Sequence, residues 1–406
     1  MAQHVAFDFT SEAFFRDPQA GVAQLRGIGP AVATRFPIVG RVWVTTTYEA
    51  AARVLKESTL FTLRKEDGAL VGLPWWMPKV IGTVANNMLT MDEPDHTRLR
   101  AIVDEAFRAV LDMEPHIRAI ADRLADELFR DGSPADLVQR YARILPLSVI
   151  CELLGLPPAD RPKFIAWANS MAHLTNAFGF LRLIGGLIKM RRYLKERLRL
   201  AREEGGEGLI AELVRVEQEG GRITPGEMVS MVFLLLGAGS ETTTHLISGS
   251  VFELLKDPAR RDWLAADWSR AGLAVEEFLR FVSPVQFSKP RYVRQDVDLE
   301  GVKLKKGDRV MAMLVAANLD SGANEFPERL DLERRPNRHL AFGTGIHFCL
   351  GHQLARIEGI CALQALFTRW PELRLAVEPS HIHWRRRPGI RMIAELPVVA
   401  CSGGRP

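Results

Sequence analysis

The chain has 406 residues, 47% of them apolar and 25% charged, with a formal net charge of +4. That balance is globular, and so small a positive excess, with no Lys/Arg run carrying interleaved aromatics, argues against nucleic acid as the main partner. No apolar run approaches the roughly 20 residues of a membrane span, the start is not leader-like, and four scattered cysteines make no disulfide framework, which points to a reducing cytoplasm.

With no linker, composition break or internal repeat, residues 1–406 read as one domain. Pro37–Thr47 (PIVGRVWVTTT) is rich in β-branched residues and reads as strand, and YEAAARVLKES after it as helix. Leu70–Met91 is an irregular apolar stretch with Trp75 and Trp76 adjacent. Its prolines argue against regular structure, leaving either a core-anchoring loop or a lid over an apolar ligand. Asp92 and Pro94 then open a helix that sets His96 and Arg100 one turn apart. That pair fits a solvated charged face or a clamp for carboxylates. From Met113 to Glu219 helical patterns alternate with short turns, and Phe164–Met190 is apolar enough for an interior helix pair.

Thr224 and Glu227 form a capping box with Pro225 at the first helical position, and Lys256 and Pro258 close the element. A helix of about 32 residues, roughly 48 Å long, follows. Its centre, GAGSETTT (Gly237–Thr244), is poor helix material: glycines cost about 1 kcal/mol each, and threonines back-bond and bend the helix. Glu241 is expected to be a buried acid with a desolvation cost. Either two helices pack closely on the small residues, or the helix opens locally to leave room for a ligand. In the second case the Thr242 hydroxyl beside the Glu241 carboxyl can organise water for proton delivery.

Glu277 and Arg280 stand three apart on the next helix. Strand-like alternation follows, with hairpin turns at Glu300-Gly301 and Lys306-Gly307. Then comes HLAFGTGIHFCLGHQLAR, His339–Arg356, which places Cys349 in a glycine-punctuated loop ahead of a helix that stops before Pro371. Gly343, Gly345 and Gly351 allow tight turns and close approach to a flat ligand. The helix start favours a thiolate at Cys349. No Cys-x-x-Cys supplies further zinc ligands. The loop suits one axial bond to iron already held by a macrocycle, or simply a buried cysteine beside a turn. Beyond the final helix, HIHWRRRPGIRMIAELPVVA reads as a closing hairpin.

The pattern F-x-x-G-x-x-x-C-x-G at Phe342, Gly345, Cys349 and Gly351 resembles the haem-binding signature of the cytochrome P-450 monooxygenases. Ala238, Gly239, Glu241 and Thr242 resemble the family's oxygen-binding run, and Glu277, Arg280 and Arg334 its Glu-x-x-Arg trio. The resemblance implies a mainly α fold, one large helical domain with small β-sheets. It implies haem b with Cys349 as the metal ligand, Phe342, Gly343, Gly351 and Ala238 against the cofactor, and His96, Arg100, Arg291 and His347 on the propionates. Thr242 and Glu241 become the catalytic pair. The chain departs from the family at Leu319, where an arginine is common, and Val285, Gln286 and Phe287 fall at its pocket-lining position. The implied activity inserts one oxygen atom from O2 into a hydrophobic small molecule. Electrons come from a separate ferredoxin and ferredoxin reductase, docking where Arg98, Arg338 and Arg356 contribute positive charge. A peroxide-driven peroxygenase and a non-catalytic haem sensor are the alternatives.

Overall fold

The computed structural model describes residues 5–37, 39–65, 86–107, 112–171 and 177–400. Helices α1 (Glu12–Arg16) and α2 (Gln19–Arg26) lead into strands β1 (Ala31–Phe36) and β2 (Gly40–Thr45), helix α3 (Tyr48–Lys56) and strand β3 (Phe61–Thr62). Next come α4 (Asp95–Ala106), α5 (Glu114–Glu127), β4 (Ala135–Asp136), α6 (Ile144–Leu153), α7 (Arg161–Met171), α8 (Ala177–Glu204) and α9 (Leu209–Gln218). The long helix α10 (Pro225–Lys256) precedes α11 (Pro258–Ala265) and α12 (Ala271–Val282). Strands β5 (Arg291–Val293), β6 (Val297–Leu299), β7 (Val302–Leu304) and β8 (Arg309–Met311) follow. Helices α13 (Leu314–Asn318) and α14 (His352–Arg369) and strands β9 (Leu373–Leu375) and β10 (Pro397–Ala400) complete the chain. No helix among the described residues is long and apolar enough to cross a membrane. Trp75 and Trp76, offered as a lid, lie outside the described residues.

Contacts divide the chain into two compact units, Met1–Gly72 with Glu114–Leu145 and Thr242–Pro406, and Leu73–Met113 with Pro146–Glu241. In the first, a five-stranded sheet has the order β1-β2-β8-β5-β3. Only its β2–β8 pair is parallel. One core cluster joins the buried face of α3 to β3, β5 and β8, while another gathers Phe9, Phe14, Phe36 and Phe287. Helix α14 packs on α5, because Leu354, Glu358, Cys361, Ala362, Ala365 and Leu366 recur at helical spacing and are buried. Tyr141 donates its hydroxyl to the Ala362 carbonyl at 2.7 Å, and the Trp370 indole donates to the Ala125 carbonyl at 2.8 Å. In the second unit, α8 packs on both α7 and α9, and α4 on α9.

The capping box of α10 forms as expected: the Thr224 amide donates to Glu227 at 2.8 Å and the Glu227 amide to the Thr224 hydroxyl at 3.2 Å. The helix then runs unbroken for 32 residues, so the expected local opening of its backbone is absent. The Ser240 hydroxyl back-bonds along it, donating to the Leu236 carbonyl at 2.5 Å. The closing hairpin is only half as expected. Trp384 bridges Ile393 across a turn, but Pro397–Ala400 pairs with β4 and β9.

Candidate active site

Cys349 lies in a loop shaped by its own backbone. The Cys349 amide donates to the Phe342 carbonyl and the Phe348 amide to the Gly345 carbonyl, each at 3.0 Å. Gly343 and Gly345 adopt φ of +66° and +75°, and His347 ends the single 3-10 turn between Gly345 and the cysteine. At Gly345 a Cβ would stand 2.5 Å from the Leu55 carbonyl oxygen, so only glycine lets the loop lie this close to α3. Gly351 is different. It precedes α14 at φ −84° with open space around it, and no turn demands a glycine there.

Two ion-pair systems hold this loop. The Arg356 guanidinium stacks 4.6 Å over the Phe342 ring and donates twice to Glu276, which also bonds His339 at 3.0 Å. Burial acts to raise the Glu276 carboxyl, but the hydrogen bonds from His339 and Arg356 outweigh it and bring the pKa down to about 2. Deeper, Glu277 takes bonds of 2.8 and 2.7 Å from Arg280 and of 3.2 and 3.1 Å from Arg334. All three are buried. Arg280 also donates to the carbonyls of Asn318, Pro327 and Arg329, and Arg334 to those of Glu325, Phe326 and Arg329. The trio therefore staples the chain leading to Cys349. Where the family often has arginine, Leu319 is buried; Arg26 of α2 bonds its carbonyl at 2.8 Å and that of Ala316 at 2.6 Å.

Chemically, the three described cysteines divide cleanly. Burial pushes the thiols of Cys151 and Cys361 up to about 12 and about 11, whereas Cys349 is partly exposed. No cluster of three or more His, Cys, Asp or Glu among the described residues is arranged to hold a bare metal ion. One accessible soft donor in a glycine cradle fits a group that brings its other ligands with it.

Along α10, Gly237, Ala238, Glu241 and Thr242 keep accessible surface in a helix whose neighbouring positions Leu235, Leu236, Ser240 and Thr243 are buried. They share one helical face. Glu241 is thus not the buried acid expected from the sequence, because its position turns it onto the accessible stripe. A buried acid without an ion-pair role is Glu358 of α14, 1% exposed, whose carboxyl burial pushes up to about 8 against a downward pull from the Thr243 hydroxyl. The signal was present as a lone acid in the apolar run ARIEGICALQALF.

The remaining sequence-derived residues are placed within their own units. On α4, His96 is buried, and burial followed by the Arg100 charge lowers its pKa. Arg100 donates to Asp104 one turn on at 2.8 Å, so the two are not a pair of free cations. Arg291 on β5 is buried and donates to the Phe61 carbonyl at 3.1 Å. Phe287 leaves the expected pocket lining for the aromatic core cluster, its ring 5.0 Å from Phe36 and 5.1 Å from Phe9. Arg98, Arg338 and Arg356 each pair with a carboxylate of the fold, Glu227, Glu49 and Glu276.

A mainly helical fold with an accessible thiol in a stapled glycine loop is the frame of a thiolate-dependent cofactor protein. The family described as Cytochrome P450 matches residues 273–371. The Vitamin D(3) 25-hydroxylase of Pseudonocardia autotrophica is 39% identical over 399 residues, covering 96% of each chain. The cytochrome P450 monooxygenase PikC of Streptomyces venezuelae is 36% identical, covering 95% of this chain and 91% of its own. The solved structure of the cytochrome P450 PksS from Bacillus subtilis superposes with a TM-score of 0.88 at 33% identity, covering 98% of this chain and all of that one. The chain belongs to the cytochrome P450 family, and it is a P450 monooxygenase. Membership implies haem, dioxygen and a small-molecule substrate.

Proposed function

We propose that this monooxygenase hydroxylates a hydrophobic small molecule with one atom of O2. It uses haem b and electrons from a separate ferredoxin and ferredoxin reductase in the cytoplasm, with residues 1–406 acting as one catalytic domain. The observation that carries this reading is the accessible stripe of Gly237, Ala238, Glu241 and Thr242 in the middle of a largely buried helix. When bound, the haem supplies the oxidation, and a thiolate ligand pushes electron density that favours O–O cleavage.

The chain's own part is binding, orientation and proton handling. Cys349 is the metal ligand, the backbone at Phe342, Gly343 and Gly351 admits the flat group, and His96, Arg100, Arg291 and His347 serve its propionates. Ala238 leaves room for the reacting molecules. The Thr242 hydroxyl and Glu241 carboxyl, adjacent and open to water, hand on protons there. The Pseudonocardia relative, named for hydroxylating vitamin D(3), supports an apolar substrate. Because Arg98, Arg338 and Arg356 are engaged within the fold, the ferredoxin draws on other charges as well. The test is turnover of an apolar library, chosen by the haem spin-state change on binding. Product coupled to NAD(P)H through ferredoxin and reductase supports the reading. Product with peroxide alone, and none with the redox partners, replaces it with a peroxygenase.

A further inference from the structure

Helix α8 buries one face and leaves an unusual one open. Leu187, Met190, Leu194 and Leu198 recur at helical spacing and are buried. The opposite face carries Ile188, Lys189, Arg192 and Lys195, all exposed, within about 10 Å of helix. From Lys189 to Arg202 the chain has seven Lys or Arg and one acid, Glu196, which Arg199 holds at 2.6 Å. Lys189, Arg192 and Lys195 form no ion pair among the described residues. Other helices spend their arginines locally: Arg16 on Glu12, Arg53 on Glu57, Arg118 on Glu114 and Arg123 on Glu127, each one turn away. Like charges at a spacing of three repel, so this stripe gains from negative charge supplied from outside the fold.

Two further observations say what kind of surface supplies it. Ile188, 47% exposed, is one of five large apolar side chains left open among the described residues, and it stands one turn before Arg192 on the charged face. The aromatic of the run, Tyr193, is turned away from that face. Its ring lies 6.2 Å from Phe164 and 5.6 Å from Trp167, and its hydroxyl donates to Asp160 at 2.9 Å. The stripe therefore offers no ring on which a nucleic-acid base could stack. An apolar side chain set among lysine and arginine on an outward helix face is the pattern of a helix lying on a lipid leaflet, with cations at the phosphates and the apolar group below them.

We propose that this face of α8 docks on an anionic lipid leaflet, Lys189, Arg192 and Lys195 meeting headgroup phosphates and Ile188 entering the acyl boundary. Docking brings the protein to the phase in which apolar molecules collect. Each cation strengthens binding to such a leaflet about fivefold at low ionic strength, so three together give on the order of 100-fold. The proposal goes beyond the monooxygenase reading and does not depend on it: vesicle binding is read without turnover, so either can fail alone.

The test sediments the holoenzyme with vesicles of phosphatidylcholine alone, or of phosphatidylcholine with about one-third phosphatidylglycerol, at low salt and at about 0.5 M salt. The wild type should bind the anionic vesicles at least about tenfold more strongly than the neutral ones, and lose that preference at high salt. The Lys189→Gln, Arg192→Gln, Lys195→Gln triple variant should lose at least about tenfold. A control that removes three exposed cations elsewhere, Arg35→Gln, Arg41→Gln and Lys303→Gln, should lose less than about threefold. Ile188→Gln should weaken anionic-vesicle binding several-fold without altering its salt dependence. A wild type without preference for anionic vesicles overturns the proposal, as does a triple variant that still binds or a control that loses as much. Binding to soluble polyglutamate with none to the vesicles also overturns it, since the face would then serve an acidic protein.

Discussion

Replacing Glu358 by glutamine should flatten part of the pH dependence of stability. Glu358 lies on the buried face of α14 at 1% exposure, and burial pushes its carboxyl from 4.5 up to about 8. Between those values the unfolded chain has released its proton and the folded chain still holds one. Stability therefore declines as pH rises through the window and levels off above it. At about 1.4 kcal/mol per pH unit, the whole window amounts to about 5 kcal/mol. Glutamine keeps the shape, still accepts from Thr243 and cannot ionise. The assay is urea unfolding of the holoprotein, followed by circular dichroism from about pH 5 to about pH 9. Taking the difference between variant and wild type cancels the other titrating groups. Near pH 5 the two should agree within about 1–2 kcal/mol. Toward pH 9 the variant should become more stable by several kcal/mol. Parallel curves would mean that water reaches the carboxyl, and would refute the argument from burial.

The Glu277→Gln substitution leaves Arg280 and Arg334, 0% and 7% exposed, around a neutral partner, and should lower stability by about 3–5 kcal/mol in the same unfolding assay. A loss under about 1 kcal/mol would show that the trio does not staple the loop. Gly345→Ala should reduce haem occupancy, read as the Soret-to-protein absorbance ratio. A left-handed alanine costs about 1–2 kcal/mol and its Cβ meets the Leu55 carbonyl at 2.5 Å. Gly351→Ala, at negative φ with no protein atom near its Cβ, should lower occupancy less than Gly345→Ala. The reverse order contradicts the account of the cradle.

What the sequence made legible was local. The capping box at Thr224–Glu227 set the start of α10, and the Glu300-Gly301 turn appears as expected, at φ +51° and +90°. The Cys349 loop and the Glu277–Arg280–Arg334 trio were readable because each motif keeps a fixed spacing or order. Features made by distant segments were not. Phe287 packs on Phe9 and Phe36 from the opposite end of the chain, and Arg26 reaches the carbonyl of Leu319 in place of a local arginine. Pro397–Ala400 prefers β4 and β9 to its neighbour in sequence. The exposure of Glu241 and the burial of Glu358 depend on which way a helix face turns, which composition does not carry.

Ligation by Cys349 is what every functional statement stands on, and the ferrous–carbonyl spectrum of the reconstituted protein tests it most directly. The account predicts a red-shifted, thiolate-type Soret band that disappears in the Cys349→Ala variant. A band typical of histidine ligation in the wild type, or a thiolate-type band that persists in the variant, would contradict it.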